Sequence, residues 1–299
     1  HVRRGTFPRC SKVVDQLLIK LNNVATTYGT DPVYAITSAQ YLKSGTNVVI
    51  DLTSRASMTG TSFSLTDGDG GATSFTVGAQ SASLSSAGQL NAYGGYQLGA
   101  SNVTNSSTNY NNSITTTGAL TVNPLTVAAS VSSGLTKTYD GKADMLGMSL
   151  ALSGALAADK VAVTGQGAYT SVNAGTTNYA VSNLVLGGLD QGNYVLSAGN
   201  SITGTNGAIT QAALKVSAVS AQKTYDGEAY LGGNGVVYSG LVNNEDASVV
   251  GGTLSYTGSS QGAVNAGSYT ITPQGLLSTN YSFTYANGPL TVDPVTITT

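Results

Sequence analysis

Charge is scarce in this sequence. Lys, Arg, Asp and Glu make up 9% of the 299 residues, against roughly 25% in an ordinary globular chain. The net charge is −2, so there is no basic face to neutralise phosphates, and no nucleic-acid partner is expected. Tryptophan is absent, and the one cysteine, Cys10, has no partner for an internal disulfide. The one histidine is His1, which leaves no Ser-His or Cys-His arrangement and no zinc set in the body of the chain. No enzymatic chemistry is expected. No apolar run approaches the roughly 20 residues of a membrane helix, so no membrane insertion is expected. Residues 1–10 also lack the apolar centre of a signal peptide, which suggests a piece of a longer or processed polypeptide.

Gly, Ser, Thr and Asn take the place of charge, with 38 Gly and 17 Tyr, while apolar residues still make up 40%. That is enough apolar surface to bury, so the chain is not expected to be disordered. Thr, Val and Tyr favour strands, and Gly and Asn supply turns. The balance predicts an all-β protein.

The chain repeats itself. Lys223-Thr-Tyr-Asp-Gly227 has a near copy 86 residues earlier at Lys137-Thr-Tyr-Asp-Gly141, and a worn copy at Thr26-Thr-Tyr-Gly-Thr30. Asn173-Ala-Gly175 and Asn265-Ala-Gly267 follow in the same order, then Asn193-Tyr194 and Asn280-Tyr281, then Asn206-Gly207 and Asn287-Gly288. Ordered landmarks at similar spacing define tandem repeats. The boundaries predicted are a lead-in at residues 1–16 and repeats at 17–124, 125–212 and 213–293, with a further repeat opening at 294–299. The last reading rests on Pro294-Val-Thr-Ile-Thr298, which resembles Pro124-Leu-Thr-Val-Ala128.

Tyr28 to Tyr110 spans 82 residues, against 55 and 56 for the matching intervals, so the first repeat carries an insertion near residues 55–80. Strands are expected at 47–52, 62–66 and 74–77, with Asp67-Gly-Asp-Gly-Gly71 as a hairpin tip. Tyr281, Phe283 and Tyr285 alternate with small residues before Asn287-Gly288, which predicts an antiparallel hairpin closing the repeat. The joints between repeats, such as Val122-Asn-Pro-Leu125, have no flexible spacer, and an extended rod of modules is expected. Each module is a small β-sandwich or a β-grasp-like sheet. The second needs one short helix per module, for which residues 151–159 and 241–248 offer the room.

The combination of Lys-Thr-Tyr-Asp-Gly, Asn-Ala-Gly, Asn-Tyr and a closing Gly-x-Leu-Thr-Val-x-Pro resembles the tandem YDG and MBG-type repeats of bacterial haemagglutinin-like, two-partner-secreted adhesins. The second and third repeats resemble the YDG form, and the first, with Thr-Tyr-Gly-Thr-Asp-Pro32, the MBG form. The resemblance implies an extracellular, cell-surface stalk that presents or contributes to attachment to mucin or other glycans. Two other roles stay open: a self-assembling filament or matrix protein, and a direct glycan-binding module. The partners implied are glycans or proteins of a host or neighbouring cell, and further copies of the chain.

Candidate sites follow from residue types. Tyr139, Asp140 and Gly141, with Tyr225, Asp226 and Gly227, read as structural motifs: a ring packed over the module end, a turn-capping carboxylate and a positive-φ glycine. Tyr93, Tyr96 and Tyr110, in the most divergent repeat, are the candidate glycan-stacking residues. No cofactor is expected; calcium is the one ion with candidate ligands, at Asp67 and Asp69. The EF-hand pattern fails there because residue 78, where its bidentate Glu would fall, is Gly. Lys137 and Lys223 have the placement for an isopeptide bond to Asn193 or Asn280, but a lysine paired with its neighbouring Asp is the simpler reading.

Overall fold

A computed structural model describes residues 16–296. The chain is built almost entirely of strands. The only helical turns among the described residues are short 3-10 segments at Thr53–Arg55, Gln191–Asn193 and Ala247–Val249. Two compact units form. The first runs up to Ala128 and adds Leu152–Val163 and Leu186–Gly199; the second takes Ala129–Ala151, Thr164–Val185 and the residues from Asn200 on.

In the first unit, Leu17–Leu21 alternates buried and exposed side chains, as its apolar, period-two pattern requires. It pairs antiparallel with Ile36–Leu42 and parallel with Ile114–Thr117. After Asn22-Asn23 the chain crosses to a second sheet as Val24–Thr27, which runs parallel to Ala119–Asn123. The opening and closing segments therefore lie side by side, in the same direction, and both switch sheets. The second sheet continues through Tyr93–Asn105, Ala72–Ala79, Ser62–Thr66 and Ala56–Thr59. Its last hairpin is the insertion, and Asp67–Gly71 does form the tip between the paired strands Ser62–Thr66 and Ala72–Ala79. Leu17, Ile19, Leu21, Phe63, Leu65, Leu98 and Leu120 fill the core between the sheets.

The third repeat, in the second unit, has the same plan. Ala212–Ala218 pairs antiparallel with Val236–Ser239 and parallel with Tyr281–Ala286. Ala221–Thr224 runs parallel to Gly288–Asp293, which pairs antiparallel with Gly267–Leu277. The second repeat shows both parallel pairings too, Leu125–Ser133 with Tyr194–Leu196 and Thr136–Thr138 with Ala208–Thr210.

Two expectations need correction. Tyr281–Ala286 and Gly288–Asp293 do not form a hairpin; they lie in different sheets. Neither Asn287 nor Gly288 takes the positive φ that a two-residue hairpin turn demands. The glycine serves a crossing instead, since a Cβ on Gly288 would sit 2.6 Å from the Ala218 carbonyl oxygen. Gly207 and Gly118 occupy the matching places. A Cβ would meet the Tyr169 ring at 2.7 Å in one and Leu21 at 3.1 Å in the other. The second correction concerns the helices of a β-grasp. Residues 151–159 complete the strand Ser149–Ser153 and then turn at Gly154, with φ of 90°. Residues 241–248 include Asn243 and Asn244 at φ of 53° and 58°, outside any helix.

Candidate functional site

The Tyr of the repeating motif is placed by the crossing itself. The backbone N–H of Tyr28 donates to Asn123 at 2.8 Å, that of Tyr139 to Thr210 at 2.8 Å and that of Tyr225 to Asp293 at 2.8 Å. Each Tyr is thus fixed beside the last strand of its own repeat, at the end where the next repeat begins. In the Tyr-Asp-Gly copies, Asp140 accepts from the Lys142 N–H and Asp226 from the Glu228 N–H, both at 3.0 Å. Gly141 and Gly227 take φ of 76° and 79°. Lys137 lies 2.8 Å from Asp140, and Lys223 lies 2.7 Å from Asp226. The turn-capping carboxylate and the positive-φ glycine occur in both copies, whereas the Tyr139 ring is buried and the Tyr225 ring is exposed; both lysines are held by their neighbouring aspartates.

What the Tyr reaches is a carboxylate of the following repeat. The Tyr28 hydroxyl donates to Asp159, and the Tyr194 hydroxyl donates to the same oxygen at 2.5 Å. The two rings meet edge to face, with centroids 5.4 Å apart. In the second unit the Tyr139 hydroxyl donates to one oxygen of Glu245 and the Tyr281 hydroxyl to the other, each at 2.5 Å. Those rings are again edge to face, at 5.5 Å. A clasp of amides stands beside each carboxylate. Asn193 accepts from the Ala92 N–H at 2.7 Å and donates to Asn91 at 2.8 Å. Asn280 accepts from the Ala174 N–H at 3.0 Å and donates to Asn173 at 3.2 Å. Two tyrosines, one acid and an Asn-to-Asn clasp thus build each of two joints, with Asp159 sharing one oxygen and Glu245 using both.

The electrostatics follow from this packing. Burial and the nearby Asp159 push Tyr28 and Tyr194 above the ordinary tyrosine value. Burial, then the bond to Glu245, pushes Tyr139 up to about 12. Burial alone would raise Asp159. The hydroxyls of Tyr194 and Tyr28 and the Ala87 N–H outweigh it and hold the carboxyl below its usual range. Hydrogen bonds to a charged acceptor are worth about 1.5–3 kcal/mol each, and an edge-to-face ring pair adds roughly 0.5–1.5 kcal/mol.

Sequence reasoning found the Tyr and Asn-Tyr landmarks but missed Asp159 and Glu245. The signal was present, because each acid stands 20 residues after the Tyr of its own repeat's motif. It went unread because each acid serves the Tyr of the preceding repeat.

The other candidates are scattered. Tyr110 is buried, hydrogen-bonded to Thr73 and packed on Tyr41. Tyr96 is buried, and its ring meets Tyr93 edge-on, so the three rings form no flat exposed platform. Tyr93 is 57% exposed. It lines an open groove of about 470 Å³ with Gln80, Ser83, Asn91 and Gln97. Asp67 accepts hydrogen bonds from the N–H groups of Asp69 and Gly71 and from the side chains of Ser107 and Asn109. Burial works against its charge, but these donors prevail and lower its pKa. Asp69 accepts a bond from Asn109. Both carboxylates are therefore engaged in holding the hairpin tip. No group of three or more His, Cys, Asp or Glu side chains that could hold a metal occurs among the described residues.

Fold and joints together define a tandem-repeat β protein whose recurring residues serve repeat-to-repeat cohesion. Within it, residues 121–203 match the YDG domain, and residues 214–291 match the MBG domain (YGX type). The third repeat, expected in the YDG form, is thus the one that the MBG domain matches. No curated protein and no solved structure matches the chain.

Proposed function

We propose that this chain belongs to the repeat region of a bacterial extracellular adhesin, and that its work there is mechanical and non-enzymatic. The recurrence of one carboxylate-centred joint in both units carries the reading. A binding or catalytic site needs its residues once, whereas residues that recur at every junction serve the junction. The YDG and MBG domains are consistent with a repeat-type surface protein. The low charge and the wealth of hydroxyl and amide side chains suit such a setting.

Two measurements test it. Antibodies raised against the chain should label intact, unpermeabilised cells; labelling only after permeabilisation would overturn the location. Pulling the chain in single-molecule force spectroscopy should show lower rupture forces for Asp159→Ala and Glu245→Ala. Unchanged forces would remove the mechanical role.

The groove beside Tyr93 supports a second reading, direct glycan binding. An exposed aromatic face flanked by Gln80, Asn91 and Gln97 has the composition that sugar recognition uses. A glycan array probed with the chain and with Tyr93→Ala tests this. Binding that the variant loses supports it, and no binding by either leaves the mechanical reading alone.

A further inference from the structure

Two of the three motif tyrosines are buried in joints, and the third is not. Tyr28 is 1% exposed and Tyr139 is 5% exposed, but Tyr225 is 43% exposed. Its surroundings are otherwise those of Tyr139. The Tyr225 N–H is held by Asp293, Lys223 is paired with Asp226, and Gly227 has the φ of Gly141 within a few degrees. The amide half of the clasp is also present, because Asn265 and Ala266 follow the pattern of Asn173 and Ala174, and both are exposed. At Gly141 the opposing repeat approaches closely, with Asn243 atoms 2.8 Å from where a Cβ would stand; at Gly227 there is nothing within 4 Å.

We infer that Tyr225, Asn265 and Ala266 form a preassembled half-joint for a further repeat joined directly after Asp293. That repeat would carry an Asp or Glu to accept from the Tyr225 hydroxyl. It would also carry an Asn-Tyr pair, with the ring edge-on to Tyr225 and the amide on Asn265 and the Ala266 N–H. The occupant's chemistry is read from the two filled joints, where every partner of the exposed groups is visible. The residues after Asp293, Pro294-Val295-Thr296, repeat the Pro124-Leu125-Thr126 that follows Asn123 into the second repeat.

The joint also has a direction. In the first repeat the Asn-Tyr pair, Asn109 and Tyr110, is consumed internally by Asp67, Asp69 and Thr73. Val48 stands where the acid would be, 20 residues after Tyr28. The first repeat thus offers a Tyr to its successor but no carboxylate to a predecessor. A second copy of the chain has no free acceptor half with which to cover Tyr225, and this favours a following repeat as the occupant. The inference stands on joint geometry and is independent of where the protein is displayed.

The test compares the chain with a version in which a second copy of residues 211–293, its own Tyr225 replaced by Phe, follows Asp293. Nitration by tetranitromethane, mapped by mass spectrometry, reads the exposure of Tyr225, with Tyr93 as the internal reference. Tyr225 should react in the original chain, lose most of its reactivity in the lengthened one, and recover it when the added copy carries Glu245→Ala. Equal reactivity in the original and lengthened chains would overturn the inference. A second variant guards against a misfolded addition. Tyr225→Phe should lower the stability of the lengthened chain and leave that of the original unchanged, whereas an equal effect on both contradicts the joint. Sedimentation of the original chain should show a monomer at all concentrations. Dimers abolished by Tyr225→Ala would assign the surface to another chain and overturn the tandem occupant.

Discussion

A single carboxylate that accepts from two tyrosine hydroxyls is an asymmetric arrangement, because the one acid serves two donors while each hydroxyl makes only one bond to it. Removing the acid should therefore cost more than removing either donor. Glu245→Ala removes the carboxylate acceptor of both part-buried hydroxyls and should lower stability by about 2–4 kcal/mol in urea unfolding. Glu245→Gln keeps one oxygen acceptor but turns an amide N–H₂ toward the second hydroxyl, so about half that loss is expected. The pH dependence has two limbs. Tyrosine ionises near pH 10 in an unfolded chain, whereas Tyr139 in the folded protein is pushed up to about 12. Folding thus favours its neutral form. That contribution is complete below about pH 10 and is lost as pH rises toward the folded value. Asp159 behaves oppositely, since its carboxyl is held below its usual range. Its contribution is complete above about pH 4 and is lost as pH falls through the lower folded value. Unfolding midpoints measured across pH should show a flattened alkaline limb in Tyr139→Phe and a flattened acid limb in Asp159→Asn.

At the level of elements, the device of this fold is the double crossing. Each repeat sends its opening and closing segments from one sheet to the other in parallel, and a glycine stands at the closing crossing. Gly288→Ala places a methyl group 2.6 Å from the Ala218 carbonyl oxygen, so a backbone shift is unavoidable. A loss of about 1–3 kcal/mol is expected. Gly78→Ala, in the strand Ala72–Ala79 with nothing within 4 Å of the new methyl, should be neutral or slightly stabilising. Thermal unfolding of the two variants side by side checks both. The strands themselves were legible in the sequence. Leu17, Ile19 and Leu21 alternate as a half-buried strand should, and the Asp-Gly-rich run at residues 67–71 turns a hairpin between strands found at their expected places. The partners of the closing strands were not legible. Tyr281–Ala286 has the alternation of a hairpin arm, and Asn287-Gly288 has the composition of its turn. The same alternation fits a parallel partner equally well, and glycine is as useful for close approach as for positive φ.

Across the whole molecule, the repeats of the sequence and the compact units of the structure do not coincide. The second repeat is divided, with residues 125–128, 152–163 and 186–199 packing in the first unit. Val127 and Tyr194 join the same buried cluster as Leu17, Leu98 and Tyr28, so the first joint is part of that unit's core. Breaking a joint should therefore loosen the unit that contains it. Hydrogen exchange in Asp159→Ala should rise at Leu125–Ser133 and Tyr194–Leu196, while Glu245→Ala should raise it at Ala212–Ala218 and Tyr281–Ala286. A uniform rise in both variants would contradict the local role.

The sequence by itself determined the all-β class and the turn chemistry of Asp140-Gly141 and Asp226-Gly227. These depend on local preference and on period, which a linear pattern carries. Only the tertiary structure decided that the opening and closing strands run parallel and that Asp159 and Glu245 are shared acceptors. It also decided that Tyr110 is core while Tyr93 faces a groove. Hydrogen bonds between residues more than 100 positions apart, such as Tyr28 with Asp159 and Tyr139 with Glu245, leave no local trace. A carboxylate in a turn looks the same in sequence whether it caps its own loop or binds a neighbour's tyrosine.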